Sequence, residues 1–169
     1  FFVFSVSVNA ASWSVLADER FGPMSNVETK NIKVNPGTNE VYVVYTASYI
    51  GEVIVKKFST TTASWVQVGS LSTSKGKFVS IDFDPVTFEP YIAYSDYETV
   101  GGFPFAGRVT VWRYGDGSGG VKWHPVDDTG TGGVTASANY VSFAFNPYDN
   151  KPYIAYSDEG ASDKITVMR

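Results

Sequence analysis

The sequence has no cysteine and only one histidine among its 169 residues. Without cysteine the chain has no disulfide framework, no thiolate nucleophile and no cysteine-based metal site. A single histidine, His124, gives little support to a transition-metal site or to a Ser-His-Asp triad. We interpret His124 as a strand residue before Pro125. Because no catalytic or cofactor motif stands out, the sequence predicts a protein that is not an enzyme and has no cofactor.

Positive charge and long apolar runs are also scarce. The 13 Lys and Arg residues are outnumbered by 17 Asp and Glu residues, which gives a net charge of −4. Nucleic-acid-binding domains usually carry a basic stripe, so the sequence predicts no nucleic-acid partner. No apolar run approaches the roughly 20 residues that span a bilayer, so it also predicts no transmembrane segment.

Aromatic and turn-forming residues are abundant. The chain is 43% hydrophobic and 16% aromatic, with 16 Gly and 8 Pro residues. Aromatic and β-branched residues punctuated by Gly, Pro, Asn and Asp are typical of strands joined by turns. This composition predicts an all-β fold, and the length is sufficient for one domain with a substantial core.

One pattern occurs three times along the chain. It is clearest in NPYDNKPYIAYSD (146–158), nearly identical in DPVTFEPYIAYSD (84–96) and weaker in NPGTNEVYVVYTA (35–47). Proline comes second each time, followed by two tyrosines at fixed spacings, and an aspartate ends the two stronger copies. The matching residues are Pro36, Tyr42 and Tyr45, then Pro85, Tyr91, Tyr94 and Asp96, then Pro147, Tyr153, Tyr156 and Asp158. A unit that recurs about every 50 to 60 residues indicates a repeat architecture.

Each repeat predicts four short antiparallel strands, which we name a, b, c and d. Strand a alternates apolar with small or polar residues, and the Asn-Pro or Asp-Pro turn after it is capped by the Asn or Asp side chain. Strand b is apolar on both faces and should be buried on both. Strand d begins in each case with a tryptophan: Trp13, Trp65 and Trp123. The predicted units are 1–18 (c and d only), 30–70, 78–128 and 140–169 (a, b and c only).

These units resemble blades of a β-propeller. They are similar to repeats of secreted multi-repeat proteins in which a PY[IV]AYSD strand is followed by a VTVM strand and a Trp strand. The patterns of WD40, kelch and Asp-box repeats are not clearly present. The resemblance implies four-stranded blades packed face to face in a single repeat domain, 1–169, and an extracellular or secreted location.

The strand count predicts an incomplete ring. Thirteen strands make about three blade equivalents, whereas propellers typically have 4 to 8 blades. We therefore expect the chain to be part of a longer propeller or to associate with copies of itself as a homo-oligomer or polymer. Two copies could close a six-bladed ring, and strand exchange between copies could build a filament.

The first ten residues, FFVFSVSVNA, have two interpretations. An apolar run before Val8-Asn9-Ala10 is like the end of a signal peptide. Alternatively, a strand from Val3 to Val8 leads to Trp13, as later strands lead to Trp65 and Trp123, and we favour this interpretation. Because no initiator methionine is present, we expect a processed chain or a piece of a longer one.

The long connections are where we expect contacts with a partner or ligand. The loop from Tyr97 to Ala106 carries Phe103 and Phe105, which either contact a partner or fold back over their own blade. Asp127 and Asp128, on a Gly-rich loop, either bind a cation or are solvated. The longest predicted connections are 17–29, 97–106 and 127–139.

Other polar and aromatic residues allow a ligand-binding hypothesis beside a structural one. Asp82 and Asp84 share one face of a strand, as an acid–base pair of a glycosidase would, although Asp84 is in the turn-capping position. The Ser-Asp pairs that end strand b could bind a sugar or Ca²⁺, or cap the following turn. The repeated tryptophans could stack on sugars, but their common register favours packing between blades.

These observations rank three functional hypotheses. The first is a non-catalytic extracellular structural or interaction module that assembles with itself through blades or strand exchange. The alternative is a carbohydrate-binding, lectin-like propeller with a glycan partner. A glycosidase or lyase ranks last.

Overall fold

The structure is a computed structural model that describes residues 15–16, 27–47, 51–71, 75–97, 99–100, 103–104, 107–117, 119–126 and 133–169. Within these ranges the chain folds into antiparallel sheets of four and seven strands and one two-stranded hairpin. The predicted all-β fold is confirmed. No helix in the described ranges is long and apolar enough to cross a membrane.

The strands fall into three consecutive units. The first unit is a four-stranded sheet in chain order: β1 (Val27–Val34), β2 (Val41–Ala47), β3 (Glu52–Ser59) and β4 (Ser64–Gln67). The second unit repeats this order with β5 (Gly76–Phe83), β6 (Pro90–Asp96), β9 (Arg108–Gly115) and β10 (Lys122–Pro125). Its b–c connection contains the hairpin of β7 (Thr99–Val100) and β8 (Phe103–Pro104). The third unit has β11 (Gly133–Asn146), β12 (Lys151–Asp158), a 3-10 turn (Glu159–Ala161) and β13 (Lys164–Met168).

The turn between strands a and b is built in the same way in all three units. The side-chain oxygen of its first residue accepts a backbone N–H two residues on, at 2.9 Å for Asn35, 2.7 Å for Asp84 and 2.9 Å for Asn146. The predicted capping role of these three residues is confirmed. This local bond fixes the turn length, which explains why this part of the repeat keeps its spacing.

Strand β11 begins earlier than the sequence indicates. The predicted loop 127–139 is wrong from Gly133 onward, and the third unit extends upstream of residue 140. Residues 133–137 pair with β9, and after a register shift between Asn139 and Ser142 the strand pairs with β12. The second and third units therefore share one sheet. Small residues, which resemble a loop in the sequence, here form a strand.

Consecutive units also pack face to face. We call the face that each unit turns toward the next unit its forward face, and the opposite one its rear face. One buried cluster joins the forward face of the first unit, including Val44 and Val55, to the rear face of the second, including Ile92. A second cluster joins Val109 of the second unit to Phe143 of the third. Strand β6 contributes to both clusters, through Ile92 and Ala93 respectively, so it is buried on both faces as its sequence predicts.

Candidate interaction faces

A side-chain-to-backbone hydrogen bond joins the a strands of neighbouring units. The Ser80 hydroxyl accepts from the Phe143 N–H at 3.0 Å and lies 3.4 Å from the Phe143 carbonyl oxygen, to which it can also donate. The Asn31 amide oxygen accepts from the Ile81 N–H at 3.4 Å. Asn31 and Ser80 occupy equivalent repeat positions, as do Ile81 and Phe143. A side chain on the forward face of one a strand thus provides the acceptor for a backbone N–H of the next a strand.

Asp82 lies two residues after Ser80 in β5, on the same forward face. Its carboxylate accepts from the Phe145 N–H at 2.8 Å and forms an ion pair with Lys33 of the first unit at 3.2 Å. Asp82 is buried and Asp84 caps its own turn, so the structure assigns different structural contacts to the two carboxylates of the predicted acid–base pair.

Strand b contributes a recurring aromatic contact. The ring of Tyr42 meets that of Phe83 edge to face, with centroids 5.0 Å apart. The ring of Tyr91 meets that of Phe145 in the same way, again at 5.0 Å. Burial raises the pKa of the Tyr42 phenol to about 12, with Glu40 adding to the effect. Burial is also the main cause that raises the pKa of Tyr91. Burial at an interface between units thus favours the neutral form of both phenols.

The tryptophans of strand d reach back to the preceding segment. The indole N–H of Trp123 donates to the Val68 carbonyl at 2.7 Å, and that of Trp65 donates to the Leu16 carbonyl at 3.2 Å. Leu16 and Val68 are equivalent positions, three residues after Trp13 and Trp65. Trp13 itself lies outside the described residues. The segment at Leu16 therefore contacts the first unit in the same way as the segment just after β4 contacts the second unit.

In the part of the chain that the structure describes, strand β1 leaves the rear face of the first unit exposed. Ile32 is 63% exposed and Val34 is 52% exposed. Their equivalents in the second unit, Ile81 and Phe83, are 1% and 3% exposed because the first unit covers them. An apolar pair that is buried in one unit is thus left in solvent in another.

Among the described residues, the forward face of the third unit is exposed as well. Ile165 is 80% exposed, whereas its equivalent Val109 is fully buried against the third unit. Ser142 and Ala144, equivalent to Ser80 and Asp82, are exposed too. An open cleft of about 290 Å³ lies at this face, lined by Ala144, Phe145, Asn146 and Tyr153. The second edge of β13 has no strand partner in the described part of the chain.

The loop residues predicted as partner contacts are only partly described. The Tyr97 hydroxyl donates to the Asn139 side-chain oxygen at 3.2 Å, and the Lys77 ammonium lies 5.5 Å from the Tyr97 ring centre. Tyr97 therefore links the second and third units. The backbone of Phe103 pairs with Val100 in the β7–β8 hairpin. The remaining predicted contacts, Phe105, Asp127 and Asp128, lie outside the described residues.

A polar and aromatic cluster near Tyr97 was not singled out by sequence reasoning. Glu159 accepts hydrogen bonds from Ser137 at 2.7 Å and from Asn139 at 2.6 Å, and these bonds lower the pKa of its carboxyl. The next residue after Asn139 is Tyr140, which is 74% exposed and has its ring 4.8 Å from that of Phe78. Phe78 and Tyr140 both adopt a left-handed backbone conformation at the same repeat position. The predicted second and third units begin at these two residues, so the repeat alignment already pairs them.

The aspartates that end strand b contact the next strand. Asp96 accepts from the Thr110 hydroxyl at 3.5 Å, and Asp158 accepts from the equivalent Thr166 at 3.3 Å.

His124 lies with its Nε2 atom 3.3 Å from the Gly120 carbonyl oxygen. Within the ranges that the structure describes, no group of three or more His, Cys, Asp or Glu side chains could hold a metal ion.

Comparison with known proteins adds no relative. No protein-family model matches the chain, and no curated protein matches it significantly in sequence.

Proposed function

We propose that the chain is a non-catalytic interaction module that assembles with copies of itself. The forward face of the third unit in one copy packs against the rear face of the first unit in the next copy. One observation carries this proposal: the two open faces are the two halves of an interface that already occurs twice within the chain. Ile32 and Val34 are exposed where Ile81 and Phe83 are buried.

The chemistry of the two faces supports association. Full burial of an aliphatic side chain stabilises an interface by about 1.5–3 kcal/mol relative to leaving it in water. The rear face offers Ile32 and Val34, and the forward face offers Ile165 and Val167, the latter 64% exposed. The second edge of β13, which pairs with no strand in the described ranges, adds backbone donors and acceptors that a strand of another copy can satisfy.

The proposed contact is heterologous, because different surfaces of the two copies meet. Such contacts produce a ring where the rotation closes and a filament where it does not. In the propeller-type architecture that we propose, two copies supply six units, within the 4 to 8 blades of known propellers. The proposed extracellular location rests on the resemblance of the repeat to those of secreted proteins.

Light scattering over a concentration series tests self-assembly. We expect the mean mass to rise above the 18.4 kDa of one chain as concentration increases. Ile32→Asp, which places a charge on the rear face, should shift the material toward monomer. Val86→Asp is the matched control, because Val86 is 64% exposed on a turn of the second unit and belongs to neither face. A mass of one chain at every concentration would contradict the proposal.

A carbohydrate-binding function is the second candidate, favoured by the exposed Tyr140 ring, which follows Asn139 in the sequence. The exposed Tyr140 ring can stack on a sugar, while Asn139 and Glu159 supply amide and carboxylate groups for its hydroxyls. A glycan-binding screen tests this candidate. We expect a bound glycan to be lost on Tyr140→Ala and kept on Tyr148→Ala, since Tyr148 is 96% exposed on a turn of the third unit.

A further inference from the structure

The geometry points to one register for the contact between copies: we infer that Val34 of one copy enters the cleft beside Tyr153 of a second copy. This inference rests on the proposed self-assembly and adds the residues that meet. It follows from the position of the cleft. In the first and second units, the equivalent place is occupied by a phenylalanine of the next unit.

In the first and second units, the tyrosine of strand b contacts a phenylalanine of the following unit. Tyr42 receives Phe83 of the next unit, and Tyr91 receives Phe145, both edge to face with centroids 5.0 Å apart. Tyr153 is the third tyrosine of this series and lines the open cleft of about 290 Å³. The residue equivalent to Phe83 and Phe145 in the first unit is Val34, which is 52% exposed.

The backbone contacts give the same register. Within the chain, Asn31 accepts from the N–H of Ile81, and Ser80 accepts from that of Phe143. Continuing the series, the exposed hydroxyl of Ser142 in one copy faces the N–H of Ile32 in the next. Side-chain fit and backbone hydrogen bonding thus select one alignment of the two faces.

Two positions make the contact between copies weaker than those within the chain. Val34 is smaller than phenylalanine and leaves part of the cleft unfilled. Ala144 is equivalent to Asp82 and lacks the carboxylate that accepts from the Phe145 N–H of the following unit. The register therefore predicts variants that strengthen assembly, which nonspecific contact between apolar surfaces does not.

The first test is a gain of affinity. We expect Val34→Phe to raise the association constant by about 3- to 10-fold, because an edge-to-face aromatic pair stabilises a contact by more than its buried area alone does. Ala144→Asp should also tighten association, because its carboxylate can accept from the Val34 N–H of the next copy as Asp82 accepts from that of Phe145. Tyr153→Ala should abolish the gain from Val34→Phe, whereas Tyr153→Phe, which keeps the ring, should preserve it.

The absence of cysteine allows a second test by cross-linking. One preparation carries Val34→Cys and another carries Ala144→Cys, at positions equivalent to the hydrogen-bonded pair of Phe145 and Asp82. We expect the mixture to form a disulfide-linked heterodimer faster than either preparation links to itself. Val86→Cys, mixed with Ala144→Cys, is the control.

The outcomes separate the register from the proposed function. If the chain associates but Val34→Phe leaves affinity unchanged, or its gain survives Tyr153→Ala, the register is wrong and self-assembly stands. Faster linkage of Ala144→Cys to itself than to Val34→Cys would also overturn the register. If the wild type, Val34→Phe and Ala144→Asp all stay monomeric, and circular dichroism shows that they are folded, the proposed function fails.

Discussion

The indole nitrogen of Trp123 lies 2.7 Å from the carbonyl oxygen of Val68, and this hydrogen bond joins two units across 55 residues of chain. Both residues are buried. The same bond recurs between Trp65 and Leu16 at a more exposed place. Buried backbone carbonyls need a donor, so the tryptophan of strand d acts as a polar link between units as well as an apolar filler.

We expect Trp123→Phe to lower the free energy of unfolding by about 1–3 kcal/mol, because the Val68 carbonyl is left without its donor in a buried place. The matched variant Trp65→Phe should cost less than about 1 kcal/mol, since water can reach the Leu16 carbonyl. Urea unfolding of both variants measures the difference. Equal losses would show that the hydrogen bond is not the source of the effect.

Ser80 and Ser142 provide a second matched pair at equivalent positions. Ser80→Ala removes the acceptor of the buried Phe143 N–H and should destabilise the chain by about 1–3 kcal/mol. Ser142→Ala changes an exposed position and should alter stability by at most about 0.5 kcal/mol. Thermal and urea unfolding at a concentration where the chain is monomeric measure both. A comparable loss for Ser142→Ala would argue that the serine hydroxyl matters within its own unit.

Local patterns in the sequence predicted the strands and turns of each unit. Fixed spacing placed Tyr42, Tyr91 and Tyr153 at one register, and alternation in strand a placed Ile81 and Phe83 on a buried face, as observed. The Asn-Pro and Asp-Pro turns were predictable because their capping bonds span only two or three residues.

Contacts between units were not predictable in the same way. The backbone N–H groups that Ser80 and Asp82 cap lie 63 residues away, and no local pattern distinguishes a polar residue that caps a neighbouring backbone from one in water. The early start of β11 was missed because its small residues read as a loop. What makes them a strand is β9, which offers a partner edge at Val109 and Thr110.

Alkaline pH should weaken the fold through Tyr42. Burial, aided by Glu40, raises the pKa of its phenol from 10 to about 12, whereas in the unfolded chain it ionises near 10. Between these two values the unfolded state holds fewer protons than the folded state, so stability falls as pH rises. The loss from this group is at most about 2–3 kcal/mol and is absent below pH 9.

The control for that effect is Tyr42→Phe, which keeps the ring that contacts Phe83. Its stability should change little near neutral pH and fall less steeply between pH 10 and 12. Some alkaline dependence should remain, because burial also raises the pKa of Tyr91 and Tyr156. Urea midpoints measured from pH 8 to 12 give both curves. Parallel curves for wild type and variant would mean that Tyr42 does not carry the effect.

Gly69 and Gly120 separate backbone strain from steric clash. Both have positive φ, +62° and +88°, so alanine at either position carries the left-handed backbone cost of about 1 kcal/mol. At Gly69 an added Cβ would also lie 2.7 Å from the Tyr114 ring and 3.0 Å from the Trp123 ring, whereas at Gly120 it meets nothing within 4 Å. We therefore expect Gly69→Ala to destabilise the chain by about 1–3 kcal/mol more than Gly120→Ala, because the rings that pack the first unit against the second must shift. Urea unfolding of the two variants, with tryptophan fluorescence as the signal, measures this difference. Similar losses would mean that the segment after β4 can move away from Tyr114 and Trp123 without loosening the interface.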